Sequence, residues 1–257
     1  MLTKILRPML ALGTRWANSR HTSTVGTAGL RTTEEEEDYD TVQFVRPYTM
    51  TSPERIRALC SAVRYIERAG IEGAVVECGV WRGGSMMAVA RTLSRLKASE
   101  RDLYLFDTFE GMTAPGPHDV ALTGETAKCL LEKSERTEED MVWCYAPMER
   151  VAHALALTMY PKGLVHLIPG RVEHTLMTAA PQRIALLRLD TDWYESTRHE
   201  MEILFPRLCR GGVLIIDDYG HWQGARRAVD EYVAAHQLKL LLHPIDYTGR
   251  IAVKAFD

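Results

Sequence analysis

Four aspartates stand at the ends of two apolar runs: Asp190 and Asp192 in LLRLDTDWY, and Asp217 and Asp218 in GVLIIDDYG. Runs of Leu, Ile and Val bounded in this way read as strands covered on both faces. In a parallel sheet the carboxyl ends of adjacent strands open on one crevice, where ligands bind. Four carboxylates gathered there repel one another unless a divalent cation or shared protons relieve the charge. Oxygen-only ligands favour Mg²⁺, Mn²⁺ or Ca²⁺ over zinc. The plainer alternative is that some of these aspartates cap the helices that follow. Trp193 and Tyr194 beside one pair, and Tyr219 beside the other, weigh towards a metal or substrate role.

A second chemical signal is the segment Val75-Val76-Glu77-Cys78-Gly79-Val80-Trp81-Arg82-Gly83-Gly84-Ser85, a strand followed by a turn that opens a helix. Gly79, Gly83 and Gly84 allow the backbone to come close to a ligand. The spacing is not that of the dinucleotide fingerprint, whose third glycine serves a pyrophosphate cradle. An acid-x-Gly turn instead suits S-adenosylmethionine, with Glu77 near the ammonium of its amino acid end. Asp107, ending the next strand, is placed to accept from both ribose hydroxyls or to cap the helix behind Thr108-Phe109. The candidate cofactor contacts are Glu77, Gly79, Trp81, Ser85, Asp107, Thr108, Gly170 and Asp190.

These side chains need a scaffold, and the pattern supplies one. A helix capped by Thr51 or Ser52, with Pro53 at its first position, carries the stripe Ile56, Leu59, Cys60, Val63 and Ile66. Strands are expected at 74–80, 102–109, 164–170, 184–190 and 212–218, alternating with helices through 86–93, up to 179, over 195–208 and over 224–236. Two more, 238–244 and 249–255, suit an antiparallel edge pair. Alternating strands and helices mean a doubly wound α/β sheet. Residues 111–163 break the rhythm and are expected to form a lid insertion over the carboxyl face, or an ordinary peripheral helix pair in their later half.

The bulk numbers narrow the classes. A chain of 257 residues, 46% hydrophobic and 25% charged, fits one α/β domain with an N-terminal extension. A net charge of −3 gives no footprint for nucleic acid. The five cysteines, an odd number with no C-x-x-C pair, suggest no disulfide framework, so the cytoplasm is the expected setting. No apolar run approaches a membrane span. Residues 1–33 are basic and free of acid, then Glu34 to Asp38 form an acidic block. Residues 1–40 are expected to be a flexible extension, and 41–257 the catalytic domain.

YTMTSPERI (48–56), VECGVWRGGS (76–85), LFDTFEGM (105–112), LRLDTDWYEST (188–197) and GGVLIIDDYGHWQGARRAVDEY (211–232) resemble the macrocin O-methyltransferase family over roughly 41–257. Members methylate sugar hydroxyls of macrolide and aminocoumarin antibiotics, and the likeness is to novobiocin-type members acting on the 4-hydroxyl of a noviosyl sugar. The resemblance implies a class I S-adenosylmethionine-dependent methyltransferase fold with seven strands, the last antiparallel. It also implies Mg²⁺ (or Mn²⁺) held by Asp190, Asp217 and Asp218, a general base at Asp192, and a homodimer. The expected acceptor is then a glycoside of small-molecule size. Metal coordination would acidify an alcohol, and Asp192 would take its proton.

His221 is a rival base or a capping histidine, and Trp193 and Tyr194 either pack on the acceptor or brace a helix. Three other readings stand beside the sugar enzyme. A catechol-type methyltransferase also binds a vicinal diol, though such enzymes tend to have Asp-Asn at the position of Asp217-Asp218. An NAD-dependent dehydrogenase would need the missing glycine spacing. A catalytically silent partner subunit would have no need for mutually repelling carboxylates.

Overall fold

The computed structural model describes residues 32–98 and 100–256; the basic segment 1–31 lies outside the described residues. The compact unit carrying the aspartates runs from Glu35 to Asp257. Its elements are α1 (Thr33–Val45), α2 (Pro53–Arg68), β1 (Ala74–Cys78), α3 (Gly84–Arg95), β2 (Leu103–Asp107), α4 (Ala127–Glu132), α5 (Met148–Ala156), β3 (Val165–Pro169), α6 (Val172–Ala179), β4 (Ile184–Leu189), α7 (Tyr194–Leu204), β5 (Leu208–Ile216), α8 (Gln223–Ala235), β6 (His243–Pro244) and β7 (Arg250–Val253). The sheet order is β3-β2-β1-β4-β5-β7-β6. The first five strands in that order are parallel, and β7 is antiparallel to both β5 and β6.

The two-residue period of a strand sorts side chains between two cores. Val75, Leu103, Leu105, Val213 and Ile215 face one core, with Ile56, Val63, Met86 and Leu93 from α2 and α3. Val76, Cys78, Leu187, Leu189, Leu214 and Ile216 face the other, with Leu176, Met201, Leu204 and Val229 from α6, α7 and α8. Each fully buried Leu, Ile or Val contributes about 1.5–3 kcal/mol, so the middle of the sheet is rigid and its strand tips are fixed points.

Local signals account for the ends. Ser52 caps α2, accepting from Arg55 N–H at 3.2 Å, and Pro53 opens it. The expected stripe Ile56, Leu59, Cys60, Val63 and Ile66 is buried throughout. Residues ahead of Thr41 are already helical in α1, whose Asp38 is buried against Arg64. The helix expected over 195–208 stops at Leu204, where a 3-10 turn, Phe205–Arg207, carries Pro206 and feeds directly into β5. The strand expected over 238–244 is reduced to His243–Pro244. Leu238, Leu240 and Leu242 pack half-buried against the second core, so their alternation reflects side-chain packing rather than ladder pairing. Pro244, with no N–H, suits the edge it occupies.

Residues 111–163 divide into two parts. Early on, isolated bridges join Val120 to Thr126 and Ala121 to Trp222, and Trp193 Nε1 donates to Thr113 O at 3.0 Å. Buried Asp119 accepts from Tyr194 N–H at 2.7 Å and Gly116 N–H at 2.6 Å. A Cβ on Gly224 would sit 2.2 Å from Asp119 Oδ1, so glycine is required where this segment meets α8. Later, Val151 and Leu155 of α5 join the first core.

Candidate active site

Register explains the centre of the site. Glu77 on β1 lies directly beside Arg188 on β4. Both are buried, at 0% and 2% exposure. Arg188 Nη1 is 2.6 Å from Glu77 Oε1 and 2.6 Å from Asp190 Oδ2. Its Nη2 donates to Thr51 Oγ1 at 3.0 Å. Nη2 is also 2.7 Å from Asp217 Oδ1, but that oxygen has no well-directed hydrogen bond, so the contact is ionic. Arg55 of α2 pairs with Asp217 Oδ2 and, at 3.0 Å, with Asp246 Oδ2. Asp246 also accepts from Ser52 Oγ at 2.8 Å, and Thr248 Oγ1 donates to Asp217 O at 2.7 Å. The β6–β7 turn and the start of α2 thus meet over the tip of β5.

Three carboxylates converge among the described residues: one oxygen each from Asp190, Asp192 and Asp218 lies within 4.8 Å of the others. The set implied by the resemblance shares Asp190 and Asp218 with this group but has Asp217 as its third member. Asp217 instead faces the two arginines. Asp192, named as the base, stands inside the group.

The charges are held under tension. Burial pushes the Asp192 carboxyl up to about 7, opposed by a hydrogen bond with Asp218 and helped by the charges of Asp190 and Asp217. Burial, then the charges of Asp192 and Asp217, push Asp218 well above the usual carboxylate range. Asp190 is raised in the same way by burial and by Asp217 and Asp218, against the pull of Arg188. Burial also lifts Glu77 to about 7 despite Arg188. For Arg188, burial favours the neutral form, but Asp190, Asp217 and Glu77 outweigh it and hold the guanidinium charged.

The cofactor side is differently arranged. Asp107 Oδ2 accepts from Val80 N–H at 2.6 Å and Trp81 N–H at 3.1 Å, and Oδ1 accepts from Phe109 N–H at 2.7 Å. Its carboxylate therefore binds the β1–α3 and β2 turns together. Gly170 N–H donates to Asp107 O at 2.9 Å, and Thr108 Oγ1 donates to Gly111 O at 2.7 Å. Ser85 is buried in the first turn of α3. Gly79, with φ of 81°, is dictated by the chain itself, since a Cβ there would lie 2.0 Å from Asp190 O. Trp81 adopts φ of 47° and its Nε1 is buried with no partner.

Both expected groups fit these residues. Glu77 Oε2 is buried and unpartnered, as a carboxylate awaiting an ammonium would be. Asp218 Oδ2 is likewise unpartnered, and an all-oxygen donor set suits a hard dication. His221 stands outside the three-carboxylate group: its ring meets Trp222 edge-on at 5.0 Å, and burial and Arg55 lower its pKa. Trp193 is 4% exposed and packs edge-on against Trp222 at 4.9 Å, so it braces the start of α7.

Arg188, Arg55 and Glu200 were not singled out from the sequence. A charged residue inside the apolar run ALLRL is a readable signal for Arg188, and Glu200 falls on the buried face of α7 with Thr197 and Leu204. Nothing local marks Arg55, whose partners come from residues 217 and 246.

The seven-stranded sheet with its antiparallel β7, and the acidic tips beside a β1–α3 turn, define a class I methyltransferase. The chain belongs to the macrocin-O-methyltransferase family, whose model matches residues 8–253, a span that starts well ahead of residue 41. The chain is 33% identical over 202 residues to the 8-demethyl-8-(2,3-dimethoxy-alpha-L-rhamnosyl)-tetracenomycin-C 4'-O-methyltransferase of Streptomyces olivaceus, covering 79% of this chain and 74% of that one. It is 32% identical over 216 residues to the mycinamicin III 3''-O-methyltransferase of Micromonospora griseorubida, covering 84% and 80%. Among solved structures, the O-methyltransferase NovP is similar with a TM-score of 0.70 and 28% identity, covering 81% of this chain and 83% of that one. The protein is an S-adenosylmethionine-dependent O-methyltransferase.

Proposed function

We propose that this enzyme methylates a hydroxyl of a sugar carried on a glycosylated natural product, in antibiotic biosynthesis, with help from a dication held by Asp190 and Asp218 and a general base at Asp192 beside them. The convergence of those three carboxylates carries the reading. The relatives' names support the acceptor class: a rhamnosyl-bearing tetracenomycin, a mycinamicin and, at 28% identity, the demethyldecarbamoylnovobiocin of Streptomyces niveus. A dication held there would acidify a hydroxyl in contact with it. Asp192 then takes the proton, Glu77 orients the amino acid end of the cofactor, and Asp107 accepts from its ribose. Arg188 ties Glu77 to Asp190 and so fixes the spacing between donor and acceptor, where in-line geometry supplies several kcal/mol. Residues 113–126, which reach Trp193 and Trp222, form the acceptor-side wall of a lid spanning 111–163.

Among the described residues no helix is long and apolar enough to cross a membrane, and all five cysteines are free; both suit the cytoplasm. A homodimer is testable by sedimentation. The decisive experiment is mass spectrometry of deoxysugar glycosides incubated with S-adenosylmethionine, with and without EDTA, beside a catechol. Methylation of a glycoside that EDTA abolishes is the expected result. Methylation of the catechol alone would overturn the acceptor class, and full activity under chelation would overturn the role of the dication.

A further inference from the structure

Beneath the turn that carries Asp190 and Asp192, on the opposite face of the sheet from Arg188, lies a buried acid with no part in the chemistry above. Glu200 of α7 is 0% exposed. Its Oε1 accepts from Thr191 Oγ1 at 2.8 Å, and the Cys78 thiol at the tip of β1 lies near enough for the two groups to influence each other's titration. Its Oε2 is buried without a partner. One carboxyl group thus joins α7 to the middle residue of the turn.

That turn needs a hold. Asp192 has φ of 66°, a left-handed conformation that residues with a Cβ avoid. Asp190 N–H donates to Cys78 O at 2.8 Å, and Trp193 N–H donates to Thr191 O at 2.8 Å, which fixes the chain before and after. Between those bonds residue 191 is held to α7 by its own hydroxyl on Glu200 at 2.8 Å and by a longer contact from Ser196 Oγ to Thr191 O at 3.5 Å. Rotation of the peptides around Thr191, the way Asp192 would relax, withdraws that hydroxyl from Glu200. The fully buried Glu200 carboxyl would then lose the hydroxyl that its Oε1 accepts from, which opposes the movement.

We propose that Glu200, acting through Thr191, is a positioning residue that locks the left-handed turn and so aims Asp190 and Asp192 at one point with Asp218. The idea rests on the dication reading of that cluster. It separates two kinds of substitution. Burial pushes the Glu200 carboxyl well above the usual range, and Glu200→Gln retains the size and the acceptor oxygen. Glu200→Ala and Thr191→Val each remove the link.

The test is Mn²⁺ titration by electron paramagnetic resonance with S-adenosylhomocysteine present, with calorimetry of S-adenosylhomocysteine as the control. Thr191→Val and Glu200→Ala are expected to weaken Mn²⁺ about 10–100-fold, the range for groups that orient metal ligands, with S-adenosylhomocysteine affinity unchanged. Glu200→Gln is expected to match the parent. Parent-like Mn²⁺ binding in both linking variants overturns the proposal, as does an equal loss of both ligands, which would mean general loosening. Thr191→Val carries the test alone should Glu200→Ala not fold. If the parent itself binds no Mn²⁺, the dication reading is what fails, and crystal structures decide the rest. In Thr191→Val, residue 192 leaving positive φ supports the positioning role, and unmoved carboxylates end it.

Discussion

Asp107 at the tip of β2 and Asp218 just past β5 are both raised by burial, in opposite surroundings. Asp107 receives three backbone N–H donors from the turns it joins, and such bonds favour a carboxylate's charge. Asp218 faces Asp192 and Asp217, and one of its oxygens has no partner. In the cofactor half the Asp107 carboxylate already has backbone donors on both oxygens, while Glu77 Oε2 and Trp81 Nε1 stay unpartnered. The acceptor half is built with more negative charge than its two arginines balance, so protons or a cation must supply the remainder. One half is preorganised and the other is poised.

The largest test breaks the join between them. Arg188→Met removes the guanidinium that touches Glu77, Asp190 and Asp217 at once. Stranding buried charges by deleting one partner costs about 3–5 kcal/mol, which should appear as a fall of roughly 10 °C in melting temperature. A variant that melts like the parent would mean the three carboxylates already share protons and need no arginine.

Asp192→Asn tests the poised half. Loss of a general base lowers kcat by about 10²–10⁴, with S-adenosylhomocysteine affinity spared because the cofactor half is untouched. The Asp192 carboxyl is pushed up to about 7 in the metal-free chain, and a neighbouring dication would favour its charged form. The rate of the parent should therefore fall with acid, at a pH below about 7. Normal turnover in the variant would pass the role of base to another group, with His221 the first to examine.

The same carboxylates make stability depend on pH. Glu77 and Asp192 rise to about 7 in the folded chain, against about 4 in the unfolded chain. The native state therefore holds more protons between those values, and this contribution to stability is full below about pH 4 and lost as pH rises through about 7. The metal-free protein should melt at progressively lower temperature across that window. A dication at a hundredfold its Kd restores about 2.7 kcal/mol, and most at the alkaline end, where the cluster is fully charged. Melting curves that ignore both pH and Mn²⁺ would show that the acceptor half is as self-sufficient as the cofactor half.

What the sequence makes legible follows the range of the forces involved. Strand cores and helix stripes are local periodicities: β1 to β4 and β7 lie within their expected runs, while β5 starts four residues ahead of its own, at Leu208. Ser52 is a cap visible in four consecutive residues. The convergence of Asp190, Asp192 and Asp218 follows from strand tips sharing one end of a sheet. The partner of Asp217 does not, because Arg55 reaches it from a helix more than a hundred and fifty residues earlier, and only the packed fold brings α2 over β5. Gly79 shows the reverse case: its glycine was legible, but the backbone it must clear is Asp190 O of this chain rather than a ligand.

Asp107→Asn sharpens the comparison from the quiet side. Asparagine retains one acceptor oxygen but presents an NH₂ group towards N–H donors. Either Phe109 on one side, or Val80 and Trp81 on the other, then loses its acceptor. A buried donor left unsatisfied costs about 1–3 kcal/mol, so the cofactor-free variant should melt a few degrees lower, with little dependence on added Mn²⁺. If Asp107 served the ribose alone, the cofactor-free protein would melt unchanged and only S-adenosylhomocysteine affinity would drop. A loss in both measurements means that the carboxylate which organises the turn also receives the ligand, and that preorganisation and binding in this half depend on the same few hydrogen bonds.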